Sequence, residues 1–266
     1  MFGQCCICGA NPVELSFEHV PPQKAYNDHR IFETNIQEMV KGKWDGQAIP
    51  PQGKWVQGGA GRYTLCERCN NVTGSWYGTP YITWTKQAFE RIERSNGTLS
   101  LAYPYRIYPL RVLKQVTAMF CSACGPKLQE RFPEISRFVL DKERRHLPHD
   151  LRVFAYLIDP RKSVGNRQSP MSGVMVGTKQ YIFAEIAFAP FGFVLTGDVE
   201  PINFDLLDIT HLGGSSYHHS ETIFMKMPVL QINTWLPGDF RSKEEIMKTI
   251  EANETVGRVN LDVLGS

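Results

Sequence analysis

Apolar and polar positions alternate near the start of the chain. Val13, Leu15 and Phe17 are separated by polar residues, and this period of two predicts a strand with one side toward a core. Asn11-Pro12 is a turn signal before the strand, and Pro21-Pro22 favours its ending shortly after. The pattern predicts one arm of a hairpin in this segment.

Two later stretches have the three- and four-residue spacing of amphipathic helices. The first covers residues 84–94, and the second ends at Gly125-Pro126. The apolar side of the first contains Trp84, Ala88, Phe89 and Ile92; that of the second contains Leu110, Leu113, Thr117, Phe120, Cys121 and Cys124. A capping box at Ser242-x-x-Glu245 predicts a last helix near 243–253.

The second half of the chain is rich in strand patterns. Apolar and β-branched runs occupy residues 151–158, 173–177, 181–187, 191–196 and 229–235. Several of these runs are almost continuously apolar, which suits a sheet that is covered on both faces. We therefore predict an α+β fold. The turn-forming residues 95–98 are the best boundary between an N-terminal domain (1–96) and a C-terminal α+β domain (97–266).

Length and composition are those of an ordinary globular protein. The chain has 266 residues, 42% of them apolar, and no apolar run long enough for a membrane span. Six of the seven cysteines lie in Cys-x-x-Cys pairs, which suits a reducing compartment. With no secretory signal pattern at the N-terminus, the expected location is cytoplasmic.

Charge is distributed unevenly although the net charge is only +2. Residues 1–167 carry 23 Lys and Arg against 15 Asp and Glu, whereas residues 168–266 carry 6 against 12. A basic first part indicates a nucleic-acid-binding face. The alternative is that the exposed charges serve only solvation.

The cysteine spacing is the strongest chemical signal. Cys5-x-x-Cys8 and Cys66-x-x-Cys69 supply four thiolates, which can close a tetrahedral zinc site between two distant segments. Glu18-His19 lies between the pairs, and Asn70 follows the last cysteine directly. A carboxylate, an imidazole and an amide are what a small metal-dependent phosphodiesterase needs, since imidazole titrates near neutral pH and Mg²⁺ prefers sparse oxygen ligands.

These residues resemble the HNH endonucleases, also called ββα-metal or His-Me finger enzymes, in their zinc-ribbon form. The segment 17–22 is similar to the EH-x-P motif, and residues 65–71 are similar to C-x-x-C-N-N. The resemblance implies a zinc-stabilised ββα-metal domain in roughly the first 80 to 95 residues. It implies a structural zinc site at Cys5, Cys8, Cys66 and Cys69, His19 as general base, and Glu18 and Asn70 as ligands of a catalytic Mg²⁺ or Mn²⁺. Residues 61–64 stand where the family has its middle Asn, so the group that orients His19 is not identified.

The stretch 41–62 combines many glycines with two tryptophans and four basic residues, a composition typical of a loop. Lys41, Lys43, Lys54 and Arg62 are candidate contacts to DNA phosphates. The alternative is an inert insertion that its tryptophans hold to the core.

The remaining Cys and His residues have simpler interpretations. Cys121 and Cys124 lie on an apolar helix face, where core packing is a better explanation than a second metal site. Cys6 is the spare thiol of its cluster. The loop histidines, which are His29, His211, His218 and His219, are expected to be polar surface residues.

The resemblance implies a divalent-metal-dependent endonuclease that hydrolyses phosphodiester bonds in DNA, double-stranded in the first instance. Small proteins of this kind resemble prokaryotic or phage defence and mobile-element nucleases. Residues 97–266 carry no recognisable catalytic motif and are expected to bind a partner protein, a second copy of the chain or a regulator. The alternative function is a zinc-stabilised nucleic-acid-binding module without catalysis. A zinc knuckle that organises an unrelated C-terminal enzyme is a weaker third.

Overall fold

The computed structural model describes residues 1–33, 53–95, 97–161, 166–176, 179–197 and 205–230. Its strands are β1 (Phe2–Gly3), β2 (Val13–His19), β3 (Ile31–Glu33), β4 (Lys54–Val56), β5 (Gly61–Cys66), β6 (Ser100–Ile107), β7 (Leu151–Ile158), β8 (Arg167–Val176), β9 (Lys179–Phe188), β10 (Phe191–Gly197), β11 (Leu207–Asp208) and β12 (Glu221–Leu230). Its α-helices are α1 (Glu67–Thr73), α2 (Thr79–Glu93), α3 (Pro109–Cys124), α4 (Pro126–Arg131) and α5 (Glu134–Leu140). A π-helical turn at Gly74–Gly78 joins α1 to α2, and a 3₁₀ turn at Thr210–Gly214 precedes β12.

The described strands form three sheets, which confirms a mixed α+β fold. The largest has the order β6-β12-β7-β10-β9-β8, with β11 also paired to β7. Its pairs are antiparallel except β12–β7, which is parallel. A small sheet has the order β1-β2-β5, and β3 pairs with β4 alone. The small β1-β2-β5 sheet contains the Glu18-His19 pair.

Helix α3 is the centre of the core. Almost every residue along it is buried, because it packs against the helices, the large sheet and the β2–β5 pair. Its one lysine, Lys114, donates to the carbonyl oxygens of Phe138 and Asp141, the latter at 2.7 Å. These hydrogen bonds satisfy the end of α5 and compensate for the buried ammonium group.

The core is continuous across the boundary predicted at residue 96. Trp84 of α2 packs on Phe191 and Phe193 of β10, with a ring distance of 4.0 Å to Phe191. Thr64 of β5 is hydrogen bonded to Ser122 of α3 at 2.6 Å. Residues 1–28 and 60–236 accordingly group into one compact unit. The division into domains 1–96 and 97–266 stays a prediction, and residues from both parts contribute to this one core.

A second unit comprises residues 29–59 and 237–266. Its described part includes the β3–β4 pair, in which Phe32 and Trp55 meet edge to face at 5.3 Å. The Arg30 guanidinium lies 4.2 Å from the Trp55 ring centre. Residues 54–56 form a strand here, which corrects the expectation of a loop throughout 41–62.

The sequence patterns located the two longest helices and five of the twelve strands in the described ranges. The predicted helices correspond to α2 and α3, and the strand patterns correspond to β2, β7, β8, β9 and β10. The patterns missed β6 and the first part of β12, and they also missed several short elements, which are β1, β3, β4, β11, α4 and α5. The helix predicted near 243–253 lies outside the described residues. No helix in the described ranges has the length and apolar character needed to cross a membrane.

Candidate metal centre and catalytic site

The site is built on the β2–β5 pair and the helix that follows it. Leu15 lies opposite Cys66 at one end of the pair, and His19 lies opposite Gly61 at the other. Helix α1 begins directly after β5. A bulge leaves Thr64 as an extra residue in β5, and bulges of this kind redirect side chains. The result is a strand–strand–helix arrangement with a long connection between the strands.

Four cysteines meet at the first end of this pair. The Sγ atoms of Cys5, Cys8, Cys66 and Cys69 all lie within 4.8 Å of one another. The Cys8 and Cys66 sulfurs are 3.9 Å apart, close to the separation of two thiolates on one tetrahedral zinc ion. Among the residues that the structure describes, this is the one cluster of three or more Cys, His, Asp or Glu ligands. The donors fit a zinc ribbon.

The backbone of the knuckle prepares the thiols for a metal. Gly9 closes the turn with φ +73°, and its N–H donates to the Cys5 carbonyl at 2.9 Å. The Cys66 N–H donates to the Cys5 sulfur at 3.3 Å. A hydrogen bond from the Cys69 thiol, with this backbone donor, lowers the pKa of Cys5. The cluster therefore favours a thiolate, the form that binds zinc.

Glu18 and Asn70 approach the same side of β2. Side chains alternate along a strand, so Glu18 and Ser16 share one face while Phe17 and His19 share the other. The Asn70 amide nitrogen donates to the Ser16 hydroxyl at 3.1 Å and to the Phe17 carbonyl at 3.0 Å. Its side-chain oxygen accepts no hydrogen bond from the described part of the chain. The first turn of α1 is thereby fixed on the strand that carries Glu18.

The Glu18 carboxyl is enclosed rather than open to solvent. The residue is 5% exposed, and the Ser122 hydroxyl of α3 donates to its Oε2. Burial, opposed by this hydrogen bond and assisted by the charge of Cys5, raises the pKa of Glu18 to about 8. No described Lys, Arg or His forms an ion pair with it. A cation bound here would offset the cost of burying the carboxylate.

His19 ends β2 on the opposite face from Glu18. Its ring meets the Phe17 ring edge to face at 5.0 Å, and the residue is partly exposed. Across the pair, a Cβ on Gly61 would lie 2.4 Å from the Glu18 carbonyl oxygen and 2.5 Å from the Phe17 ring. Only glycine fits there. Because side chains alternate along β2, Glu18 and His19 lie on opposite faces, and the two can share a substrate only across the end of the strand.

Two amides that the sequence did not single out hold the turn after His19. Asn27 is fully buried and bonds the backbone of Pro21 and Ala60. Gln168 of β8 donates to the Val20 carbonyl at 2.8 Å. Asn27 belongs to a polar run that predicts only surface, and Gln168 is distant in sequence. No local pattern could have identified either one.

The four basic residues predicted to contact DNA have different surroundings. Lys41 and Lys43 lie outside the described residues. Lys54 is on β4 and pairs with Glu33 at 3.5 Å. Arg62 is exposed on β5, and its Nε donates to the Gln168 side-chain oxygen at 3.1 Å. Strands, not a loop, carry Lys54 and Arg62.

The remaining Cys and His residues behave as the sequence predicted. Cys6, Cys121 and Cys124 are buried, and desolvation raises the pKa of both Cys6 and Cys124 to about 12. These thiols stay protonated and belong to the core. The loop histidines, His29, His211, His218 and His219, are exposed.

Comparison with known proteins identifies no relative. No family model matches the sequence, and neither the curated proteins nor the solved structures include a match.

Proposed function

We propose that this protein is an HNH-type, divalent-metal-dependent endonuclease that hydrolyses phosphodiester bonds in DNA. One observation carries the proposal. Asn70, directly after the last cysteine of the zinc cluster, donates two hydrogen bonds to the strand that bears Glu18 and His19. The acid-histidine pair and the third polar residue of the motif are 51 positions or more apart in sequence, yet one strand–strand–helix unit unites them.

His19 is the proposed general base. Hydrolysis of a phosphodiester requires removal of a proton from the attacking water in line with the leaving oxygen. His19 is partly exposed at the end of β2, so water can reach its ring. The edge-to-face contact with Phe17 limits the orientations of the imidazole, which favours one direction of proton transfer.

Glu18 and Asn70 are the proposed oxygen ligands of Mg²⁺ or Mn²⁺. Both approach the same face of β2, and the Asn70 amide points its nitrogen at the strand, which leaves its oxygen for a cation. The ion would compensate for the charge that develops on the phosphate and the leaving oxygen. For Glu18 to coordinate it, the carboxyl must ionise and share or leave the Ser122 hydroxyl. Zinc, held by the four cysteines, would stabilise the unit.

The proposed substrate is double-stranded DNA, which the basic first part of the chain favours. By analogy with small HNH proteins, the biological role would be prokaryotic or phage defence or mobile-element biology. Helix α3 then supplies Ser122 to the site and the large sheet supplies the Gln168 amide, in addition to any partner or regulatory role.

A second candidate is a zinc-stabilised nucleic-acid-binding module without catalysis. The hydrogen bond between Ser122 and Glu18 favours it, because a metal ligand would have one oxygen already engaged. The buried, neutral carboxyl would then be a structural link between β2 and α3.

A plasmid-nicking assay separates the two candidates. Zinc-loaded wild type should relax supercoiled plasmid in Mg²⁺ or Mn²⁺ and lose this activity in EDTA at concentrations that leave the cysteine zinc bound. His19→Ala should be slower by roughly 10²–10⁴-fold at unchanged zinc content and DNA affinity. If both proteins bind DNA and neither cuts, the binding module is the correct function.

A further inference from the structure

We infer that Asn27, assisted by Gln168, is a positioning residue that fixes the imidazole of His19. The expected effect on turnover rests on the proposed nuclease function. The expected effect on the position of the His19 ring does not. Asn27 and Gln168 would take the role of the middle Asn that the sequence motif lacks, although neither residue belongs to the motif.

The Asn27 side chain is saturated with backbone partners on both sides of the site. Its nitrogen donates to the Pro21 carbonyl at 2.6 Å and to the Ala60 carbonyl at 2.8 Å. Its oxygen accepts the Ala60 N–H at 2.6 Å. The side chain is 0% exposed, so each lost bond would leave a buried polar group unpaired.

These partners lie two residues after His19 and one residue before Gly61, its cross-strand partner. The Val20 N–H donates to the same Ala60 carbonyl at 3.0 Å, and Gly61 lies opposite His19. The Asn27 amide therefore continues the ladder of the β2–β5 pair beyond the last strand residue. It ties the backbone that follows the histidine to the segment opposite, and this limits the movement of the residue that carries the imidazole.

Gln168 secures the same turn from the large sheet. Its nitrogen donates to the Val20 carbonyl at 2.8 Å, and its oxygen accepts from Arg62 at 3.1 Å. Gln168 of β8 thus holds Val20, the residue after His19, and Asn27 holds Pro21, the next one. The two amides act on consecutive carbonyls, so loss of either one should loosen the turn without touching the zinc cluster.

The test compares Asn27→Ala and Gln168→Glu with wild type and with a matched control. Gln168→Glu keeps an oxygen for Arg62 but cannot donate to Val20, and it serves if Asn27→Ala does not fold. Tyr77→Phe is the control, because it removes one buried hydrogen bond, to the Val139 carbonyl, in another part of the core. Zinc content, melting temperature and DNA affinity are measured for every variant.

Two readouts decide the result. The first is the histidine side-chain NMR spectrum, with the His19 signal assigned from His19→Gln. The second is the turnover rate in the nicking assay. We expect the His19 signal to shift or broaden in both amide variants. We expect turnover to fall by about 10–100-fold for Asn27→Ala at unchanged DNA affinity, and by less for Gln168→Glu. Tyr77→Phe should change neither readout.

The outcomes distinguish this inference from the proposed function. If the His19 signal and turnover of both amide variants match those of Tyr77→Phe, the positioning role is wrong. If the signal moves but wild type cuts no DNA, the positioning role stands and the nuclease function fails. If turnover falls while the His19 signal stays in place, the amides act by another route and the inference is overturned.

Discussion

The two ends of the β2–β5 pair are held by different chemistry. At the Cys66 end, four thiols meet within 4.8 Å and link two segments that are far apart in sequence. At the His19 end, neutral amides from Asn27 and Gln168 bond the backbone. A structural zinc site in a small peptide contributes about 10–16 kcal/mol, whereas a buried hydrogen bond contributes about 0.5–1.5 kcal/mol net. We therefore expect the first end to determine whether the unit folds, and the second to determine where the catalytic group lies.

The largest expected effect is the loss of the thiol end. Cys69→Ser should remove the zinc and leave the protein insoluble or unfolded, because the oxygen of serine is a poor substitute for a thiolate. Cys121→Ala is the control, since Cys121 is equally buried but belongs to the core. It should keep about one zinc per chain and lose about 1 kcal/mol of stability. Elemental analysis and thermal melts measure both. A folded, zinc-free Cys69→Ser protein would contradict the claim that the thiol end determines whether the unit folds.

The next effect concerns the residue that connects the two ends. Asn70→Ala should lower nicking activity by about 10²-fold at unchanged zinc content, because it removes both a ligand oxygen and the link to β2. Ser16→Ala breaks only one of the two Asn70 hydrogen bonds and should lower activity far less. Equal losses in the two variants would mean that Asn70 acts only as a structural link.

Glu18 should make the stability of the protein depend on pH. Its pKa is about 8 in the folded protein, above its ordinary value of 4.5, so the folded state binds the proton more tightly. The contribution of Glu18 to stability is therefore fully present below about pH 4.5 and is lost as pH rises through about 8. Glu18→Gln should gain about 3–5 kcal/mol of stability over wild type between pH 5 and 9, since each unit of pKa difference is worth about 1.4 kcal/mol.

Thermal melts of zinc-saturated protein over this pH range test the prediction. Glu14→Gln is the control, because Glu14 is an exposed residue of the same strand. Added Mg²⁺ should raise the melting temperature of wild type more than that of Glu18→Gln if Glu18 binds the cation. A pH-independent difference between wild type and Glu18→Gln would show that the carboxyl is ionised throughout and is not an enclosed neutral acid.

The smallest effect tests which end faces nucleic acid. Arg62 is exposed beside the His19 end, and Arg68 is exposed on α1 beside the thiol end. If DNA lies at the His19 end, Arg62→Ala should lower the salt dependence of binding by about one unit, and Arg68→Ala should leave it unchanged. Fluorescence anisotropy over a range of salt concentrations measures the slopes. The reverse order would place DNA at the thiol end.

The sequence determined the parts of this protein that depend on local pattern. Alternation located β2, helical spacing located α2 and α3, and the spacing of two Cys-x-x-Cys pairs predicted a cluster that the structure brings together. β6 was missed because Pro104 interrupts an otherwise alternating run, a feature that strand rules assign to edges. The local signals were sufficient for the two long helices, for five strands and for the cysteine cluster.

Only the tertiary structure decided the surroundings of Glu18 and His19. The sequence places the two side by side, but strand alternation turns them to opposite faces, and helix α3 then encloses Glu18 against Ser122. Asn27 and Gln168 reach the turn after His19 from positions that no motif connects to it. A hydrogen bond between residues that are distant in sequence produces no periodic pattern, because it requires only one polar atom within bonding distance of its partner. The packing of β2 and β5 against α3 and β8 creates that place.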